Sequence, residues 1–337
     1  MTTWFRCALL GAALTMIGCE MSEDEGLTDE EDVWAEEALG PIKLANSTPL
    51  GLASTTNRLF WTSFETDPLG QEVAVLWSAT KTNTPGSEIP LRTRVEPAGS
   101  LSYHLFQGIA IPPTGGSWLY YVQNDSDEGN TGSYVFRMSQ TGGTPTLIGA
   151  SSYVGDGPIV SDGFAVFWSD PTSIWRVLTS GALLSLAAAT SSPALGVDGT
   201  FLYYATGNVL RRVRSAGGPQ EVVATATAPV RAIHVDAART VTWGEQNGAV
   251  RSVPAAGAPV TTYQAPIAGR VVTSVGAGSS RVMWIDCLSN GTDCAVRVSQ
   301  GGVTTVVAAG LPHAGHLQWD ATSVYWGQDG GLMKVVF

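Results

Sequence analysis

An apolar strand that ends on an aromatic residue before a turn recurs seven times along this chain. The seven aromatic residues are Trp61, Tyr121, Trp168, Tyr204, Trp243, Trp284 and Trp326. Their successive intervals are 60, 47, 36, 39, 41 and 42 residues. Most of these are close to the roughly 40 to 45 residues that form one four-stranded propeller blade. The repeat therefore constrains the fold more than any other feature of the sequence.

The signals that flank each aromatic strand also recur in a constant order. A short apolar strand comes first and ends in a turn that begins with Asp162, Asp198, Asp236 or Asp320, whose carboxylate can bond the backbone two residues on. An alternating strand, a Gly turn and a final apolar strand such as "EVV" or "VTTVV" follow. Four strands per unit predict an all-β chain folded as a β-propeller, most simply with seven four-stranded blades.

The ends of the repeat predict how the propeller closes. The last unit stops at "GLMKVVF" and lacks an outer strand, whereas Ile42–Ala45 has the outer-strand pattern and precedes the first inner strand. We predict that this N-terminal strand pairs with the C-terminal blade, which leaves fewer exposed sheet edges. The first unit is long and irregular, so six or eight blades remain alternatives. Residues 40–337 are predicted to form one propeller domain.

Composition and charge agree with many short strands and argue against a nucleic-acid partner. Charged residues make up only 14% of the chain, with 39 Gly and 11 Trp. The formal charge is −11, but ten of the 29 acids lie between Glu20 and Glu37, which leaves 19 acids and 17 bases in residues 38–337. A nucleic-acid-binding face needs clustered basic residues. The one dense group is Arg211, Arg212 and Arg214, and we predict no nucleic-acid partner.

Residues 1–18 carry Arg6 and then an apolar stretch from Cys7 to Gly18, too short to span a bilayer, followed by Cys19. This segment resembles a bacterial lipoprotein signal peptide. The resemblance implies cleavage before Cys19, lipidation of that cysteine, for example by palmitate, and a membrane partner through the lipid. It also implies an extracytoplasmic location in the bacterial cell envelope. An ordinary secretion signal is the alternative, and it too exports the chain.

The acidic stretch after the signal predicts a solvated tether over residues 19–39. Like charges repel there and few apolar groups are available for burial. A short acidic helix from Thr28 to Leu39 is the alternative.

Two cysteines remain in the exported domain, Cys287 and Cys294, with the six residues "LSNGTD" between them. In an oxidising compartment this spacing favours a disulfide that closes a hairpin loop. A metal site is the alternative, but two thiols fall short of the four ligands of structural zinc.

The "YW" before a turn and the "VxRVxxxGG" after it resemble the degenerate propeller repeats of the NHL and YWTD type, over roughly residues 41–337. Full YWTD units carry Thr-Asp after the Trp, and here Trp61-Thr62 matches in part. The resemblance implies the fold and not a function, because propellers host both enzymes and binding modules.

Two recurring residue types are predicted to be structural. The seven aromatics are predicted to form the core between blades, where they bury a large apolar area. A basic residue also recurs in the third strand and is predicted to hold one structural blade position: Arg137, Arg176, Arg211, Arg251, Arg297 and Lys334.

Two segments that break the repeat carry the candidate site residues. In "LPHAGH", His313 and His316 precede the seventh inner strand, where loops face the mouth of the channel. They are candidates for a ligand contact or for a transition-metal site whose third ligand the sequence does not locate, with solvated loop histidines as the alternative. In "QNDSDEGNTG", candidate calcium ligands are Asp125, Asp127, Glu128 and Asn130. Gly129 breaks the usual order of a calcium loop, so a solvated hairpin is the alternative.

The sequence has no HExxH, nucleophile-elbow GxSxG or phosphate-binding P-loop motif. It predicts no cofactor beyond the calcium or transition metal considered above. The chain is therefore predicted to be a binding or scaffold module for an envelope protein, peptide or glycan. The alternative is a propeller-type lyase or hydrolase that uses a channel-mouth histidine as general base.

Overall fold

A computed structural model describes residues 40–82, 84–95, 103–113, 116–127, 130–155, 157–189, 193–254, 259–278 and 280–337. The predicted signal peptide, Cys19 and the acidic tether lie outside these residues. Within them all regular structure is β-strand, and no helix long and apolar enough to cross a membrane is found.

The strands of the described residues, in chain order, are β1 Ile42–Ala45, β2 Gly51–Ser54, β3 Arg58–Thr66, β4 Glu72–Thr80, β5 Ile89–Val95, β6 Tyr103–Ala110, β7 Trp118–Asp127, β8 Asn130–Ser139, β9 Thr146–Ser151, β10 Ile159–Ser161, β11 Ala165–Ser169, β12 Ser173–Leu178, β13 Leu183–Ala188, β14 Leu195–Val197, β15 Phe201–Thr206, β16 Val209–Arg214, β17 Glu221–Thr225, β18 Val230–Val235, β19 Thr240–Glu245, β20 Val250–Pro254, β21 Thr261–Gln264, β22 Arg270–Ala277, β23 Arg281–Leu288, β24 Cys294–Gln300, β25 Val303–Leu311, β26 Gly315–Trp319, β27 Ser323–Gln328 and β28 Gly331–Val336.

These strands form seven four-stranded antiparallel sheets, the blades of a β-propeller. Blades 1 to 6 follow chain order from the inner to the outer strand, from β2–β5 in blade 1 to β22–β25 in blade 6. Blade 7 has the order β26, β27, β28, β1. The predictions of an all-β propeller and of seven blades are confirmed.

The N-terminal strand β1 closes the ring. It pairs antiparallel with β28, with Ile42 opposite Lys334 and Ala45 opposite Leu332. Leu44 and Ala45 are buried in a core that blade 7 shares with Trp61 of blade 1. The predicted closure by Ile42–Ala45 is therefore confirmed.

The repeated aromatic residues form the core between blades, as predicted. All seven are at most 1% exposed. Trp243 of blade 5, for example, lies in one apolar cluster with Tyr203 and Leu210 of blade 4. Burying such large rings between neighbouring sheets contributes much of the hydrophobic stabilisation of this fold.

The Asp residues of the first turn bond the backbone as predicted. The Oδ1 atom of Asp162 accepts from Phe164 N at 2.9 Å, and that of Asp198 accepts from Thr200 N at 2.8 Å. In blade 5 the turn is longer, so Asp236 accepts from Thr240 N, four residues on, at 2.8 Å. These bonds fix the turn between inner and second strands.

The recurring basic residues divide into two sets, whereas one structural position was predicted. One set lies opposite the residue that precedes the repeated aromatic: Arg137, Arg176 and Lys334. The other set lies opposite the aromatic itself: Arg211, Arg251 and Arg297. Because side chains alternate along a strand, a shift of one residue puts the two sets on opposite faces of the third strand. The prediction of a single position is wrong.

Candidate functional site

A cavity of about 680 Å³ occupies one end of the central channel. It is lined by residues from the inner strands of all seven blades or from the loops that lead into them. We call this end the channel mouth. Both His313 and His316 line it, as does Asp329 from the turn between β27 and β28.

Four of the inner strands carry a β-bulge at the channel mouth. In β18, Val230 pairs with Glu245 and Ala232 with Gly244, so that Arg231 is the extra residue. In the same way β22 has Thr273 as an extra residue, and the irregularity in β26 contains His316. The fourth lies in β6 and contains Gln107. A bulge re-aims the side chain of the unpaired residue, and all four of these residues line the cavity.

The lining of the mouth differs between its two sides. Blades 3 and 4 have short, regular inner strands and contribute Pro158, Ile159 and Leu195. Blades 5 to 7 contribute the bulged Arg231 and His316. The cavity therefore has an apolar wall and a polar wall, as ligand pockets commonly do.

His313 forms a hydrogen-bonded pair with Asp329 at the rim. Its Nδ1 lies 2.7 Å from Asp329 Oδ2, and both side chains are about half exposed, at 54% and 55%. The His313 backbone N–H donates to Gly291 O at 3.0 Å. A Cβ atom on Gly291 would lie 2.6 Å from His313 Cδ2. The imidazole ring therefore fits here because residue 291 is a glycine without a side chain.

The predicted disulfide supports the segment that carries His313. Cys287 and Cys294 are bonded across the hairpin between β23 and β24, which confirms the predicted pairing. Cys294 Sγ accepts a hydrogen bond from Ala314 N at 3.2 Å. The cross-linked hairpin of blade 6 is thus joined directly to the residue between the two candidate histidines.

Both histidines have backbone conformations that non-glycine residues seldom adopt. His313 has φ 43° and His316 has φ 55°. Such strained positions cluster at functional sites. The His316 ring is accessible from the lumen while protein surrounds it, and this enclosure lowers its pKa to about 4. His316 is therefore neutral at pH 7, with one N–H donor and one acceptor nitrogen.

Two rings on inner strands directly follow the lining residues Ile233 and Gln318. His234 of blade 5 and Trp319 of blade 7 meet edge to face, with centroids 4.7 Å apart. Gly276 of blade 6 makes room for the indole, because a Cβ atom there would lie 2.4 Å from Trp319 Cζ3. Burial, partly offset by Asp236 and by a hydrogen bond with the Ala277 backbone, lowers the pKa of His234 to about 4.

Sequence reasoning did not find Arg231 or Asp329. Arg231 follows Val230 in "PVRAIHVD", at the position that Gly157 holds in "GPIVSD" of blade 3 and Pro193 in "PALGVD" of blade 4, and this contrast was the available signal. Asp329 is 16 residues from His313. Their pairing depends on the blade's turns and cannot be inferred from spacing.

Of the candidate calcium ligands of blade 2, Asp125 is the one whose side-chain contacts the structure describes. Asp125 accepts from Gln123 Nε2 at 2.8 Å and lies 2.5 Å from His104 Nδ1. His104 Nε2 lies 2.6 Å from Arg94 Nη2 of blade 1. Backbone pairing brings Asp127 opposite Asn130 at the end of the hairpin, and Glu128 lies outside the described residues.

The metal sites stay predictions. Among the residues that the structure describes, no group of three or more His, Cys, Asp or Glu side chains is arranged to hold a metal ion.

No protein family and no curated protein sequence matches this chain. The fold, however, is similar to solved propellers. A catalytically inactive histidine variant of virginiamycin B lyase from Staphylococcus aureus, with quinupristin, has a TM-score of 0.60 and 11% identity over 89% of this chain and 98% of that one. YCF48 from Cyanidioschyzon merolae has a TM-score of 0.59 and 11% identity, over 88% and 98%.

A structure of YCF48 bound to D1 peptide is similar to the same degree, with a TM-score of 0.59 and 11% identity over 88% of this chain and 95% of that one. At these identities the likeness shows a shared fold. The same fold thus serves a lyase in one neighbour and a peptide-binding protein in another.

Proposed function

We propose that this protein is a binding module that holds a peptide segment of an envelope protein in the channel mouth. The observation that carries the proposal is the cavity of about 680 Å³, with an apolar wall on blades 3 and 4 and a polar wall on blades 5 to 7. Its volume lies within the range of ligand pockets. Apolar side chains of a peptide have a wall against which to pack, and its polar groups face hydrogen-bonding partners.

The rigid frame also favours binding. Apart from Asp329, the wall residues sit on or beside paired inner strands, so little conformational entropy is lost when a ligand enters. YCF48, which has this fold, binds a peptide. By analogy of architecture, a peptide is the ligand class that we favour over a glycan.

A photo-crosslinking experiment tests the proposal. A benzoylphenylalanine at Pro158, which is exposed and lines the mouth, is expected to capture one dominant peptide segment in living cells. The matched control is the same residue at Phe164, which is 78% exposed in the turn at the other end of β10. Equal capture from both positions, or capture of glycan alone, would contradict the proposal.

A second candidate function is lyase or hydrolase activity, which the His313–Asp329 pair favours. A carboxylate 2.7 Å from Nδ1 orients an imidazole so that its other nitrogen can act as general base. If the purified chain breaks a bond in the captured peptide, and His313→Ala removes this turnover without loss of binding, the enzyme function is the correct one.

We further propose that the chain is a lipid-anchored, extracytoplasmic protein of the bacterial envelope. The lipoprotein-like residues 1–19 and the acidic tether of residues 19–39 support this address. The disulfide agrees with an oxidising compartment.

Metabolic labelling with palmitate checks this address. The wild-type chain is expected to incorporate label and to sediment with membranes, because acyl chains hold a protein at the bilayer. Cys19→Ala is expected to lose both properties, while the control Cys7→Ala keeps them. Label retained in Cys19→Ala would show that the proposed anchor is wrong.

A further inference from the structure

We infer that the polar wall of the channel mouth is a carboxylate-binding site anchored by Arg231. The inference rests on the proposed function, whose peptide ligand it makes more specific. The ligand would present a carboxylate next to an apolar group, so that the polar and the apolar wall of the cavity are used together.

The position of Arg231 is the first argument. The bulge in β18 makes it the unpaired residue of the inner strand, and its exposed side chain lines the cavity. In a regular strand Arg231 would pair with its own residue of β19, whereas here Val230 and Ala232 pair with the consecutive residues Glu245 and Gly244. The local sequence therefore places a cation at the mouth of the channel and forgoes one step of the ladder there.

The second argument is that, within the described part of the chain, no carboxylate lies within ion-pair distance of Arg231. Five other arginines do form ion pairs with carboxylates: Arg212, Arg239, Arg251, Arg270 and Arg297. The guanidinium of Arg231 thus has its planar array of N–H donors available for an anion from outside.

The third argument is the distribution of charge in the cavity. Asp329 is the one carboxylate among its described lining residues, and it is bonded to His313. His316 faces the same lumen as a neutral ring with one N–H to donate. Arginine and histidine thus both offer N–H donors to a carboxylate in this cavity, and protein walls of low dielectric constant strengthen such contacts.

The apolar wall decides which carboxylates fit. Pro158 of blade 3 lines the cavity together with Arg231 of blade 5, and it is exposed, whereas the neighbouring lining residues Ile159 and Leu195 are 5% and 4% exposed. Two parts of a peptide have this chemistry: a C-terminal carboxylate after an apolar residue, and an Asp or Glu side chain between apolar residues.

Fluorine NMR with the full chain in detergent tests the site. The probe para-fluorobenzoate carries a carboxylate on an apolar ring, and para-fluorobenzamide is its uncharged counterpart. We expect the benzoate to bind with a Kd on the order of 1 mM and the amide at least about tenfold more weakly, since an Arg–carboxylate contact is charge-assisted. Arg231→Met is expected to abolish the difference. The control Arg214→Met, at an exposed arginine that does not line the cavity, is expected to keep it.

Two pairs of short peptides distinguish the sources of the carboxylate. One pair ends in leucine with a free or an amidated C-terminus, and the other is amidated with a central Glu or Gln between leucines. The source is identified by the pair in which the peptide with the carboxylate binds more tightly than its uncharged counterpart and in which Arg231→Met removes this difference.

Three results would overturn the inference: equal binding of the benzoate and the amide, no binding of the benzoate up to about 20 mM, or an unchanged preference for the benzoate in Arg231→Met. If the Arg231→Met chain still captures its peptide from position 158, the proposed function stands and the carboxylate site is wrong. If the chain with Arg231 intact captures no peptide from position 158, the proposed function itself is contradicted.

Discussion

Replacing Asp286 by Asn is expected to lower the free energy of unfolding by about 3–5 kcal/mol. Asp286 is fully buried in blade 6, and its carboxylate binds Arg270 Nε and, at 2.6 Å, Arg297 Nε. Both arginines are themselves mostly buried, with side chains 13% and 21% exposed. An amide of the same shape carries no charge, so the largely desolvated guanidinium of Arg297 would lose the counter-charge of Asp286, and that of Arg270 would keep the solvent-exposed Asp293.

The matched control is Asp293, which forms an ion pair with the same Arg270. Asp293 is 59% exposed and lies 3.3 Å from Arg270 Nη1. Asp293→Asn is expected to change stability by less than about 1 kcal/mol, because solvent screens exposed ion pairs. Urea unfolding of the two variants and of the wild type measures both values. Similar losses for Asp286→Asn and Asp293→Asn would contradict the assigned importance of burial.

Asp286 belongs to a pattern that the sequence contains but that is readable only with the structure. An acid stands two residues after the repeated Trp in three blades, at Asp170, Glu245 and Asp286, and each is fully buried. In blade 5 the acid accepts from the indole N–H of Trp243 at 3.0 Å. From sequence alone, an acid at the end of a strand reads as a solvated turn residue, and its burial depends on the neighbouring blade.

The blade repeat was predictable because it rests on local patterns. Aromatic residues at intervals near 40, Asp turns and Gly turns each have a physical cause within a few residues of the chain. The closing strand was predictable for a related reason, since an incomplete last unit and an orphan strand at the start complement each other. Each of these signals can still be recognised when the blades differ in the rest of their sequence.

The channel mouth was only partly predictable. His313 and His316 stood out because they break the repeat at the seventh inner strand, although the structure places His316 within β26 and not before it as predicted. Arg231 did not, because a bulge is defined by the pairing of two strands and has no sequence signature of its own. The division of the basic residues has the same origin: a register shift of one residue changes the face and leaves the composition unchanged.

Replacing Leu44 by Asp is expected to open the ring and to lower the free energy of unfolding by at least about 4 kcal/mol. Leu44 is 2% exposed and packs in the cluster that joins blade 7 to blade 1 through Trp61. The substitution removes a buried apolar side chain and places a carboxylate among apolar neighbours. Because β1 is the one strand that completes blade 7, its loss also exposes the edge of β28.

Ile42→Asp is the control on the same strand. Ile42 is 42% exposed and pairs with Lys334, so the new carboxylate stays in water and its variant is expected to lose less than about 1 kcal/mol. Urea unfolding gives the two stabilities. Native-state hydrogen exchange then shows where the ring opens, because detachment of β1 should release the amides of β28 before those of blades 3 and 4. Equal protection of the β28 amides in the Leu44→Asp and Ile42→Asp variants would mean that the ring stays closed without β1. Closure would then depend on the inner strands, where Gln318 of blade 7 donates to Leu52 O of blade 1 at 3.2 Å.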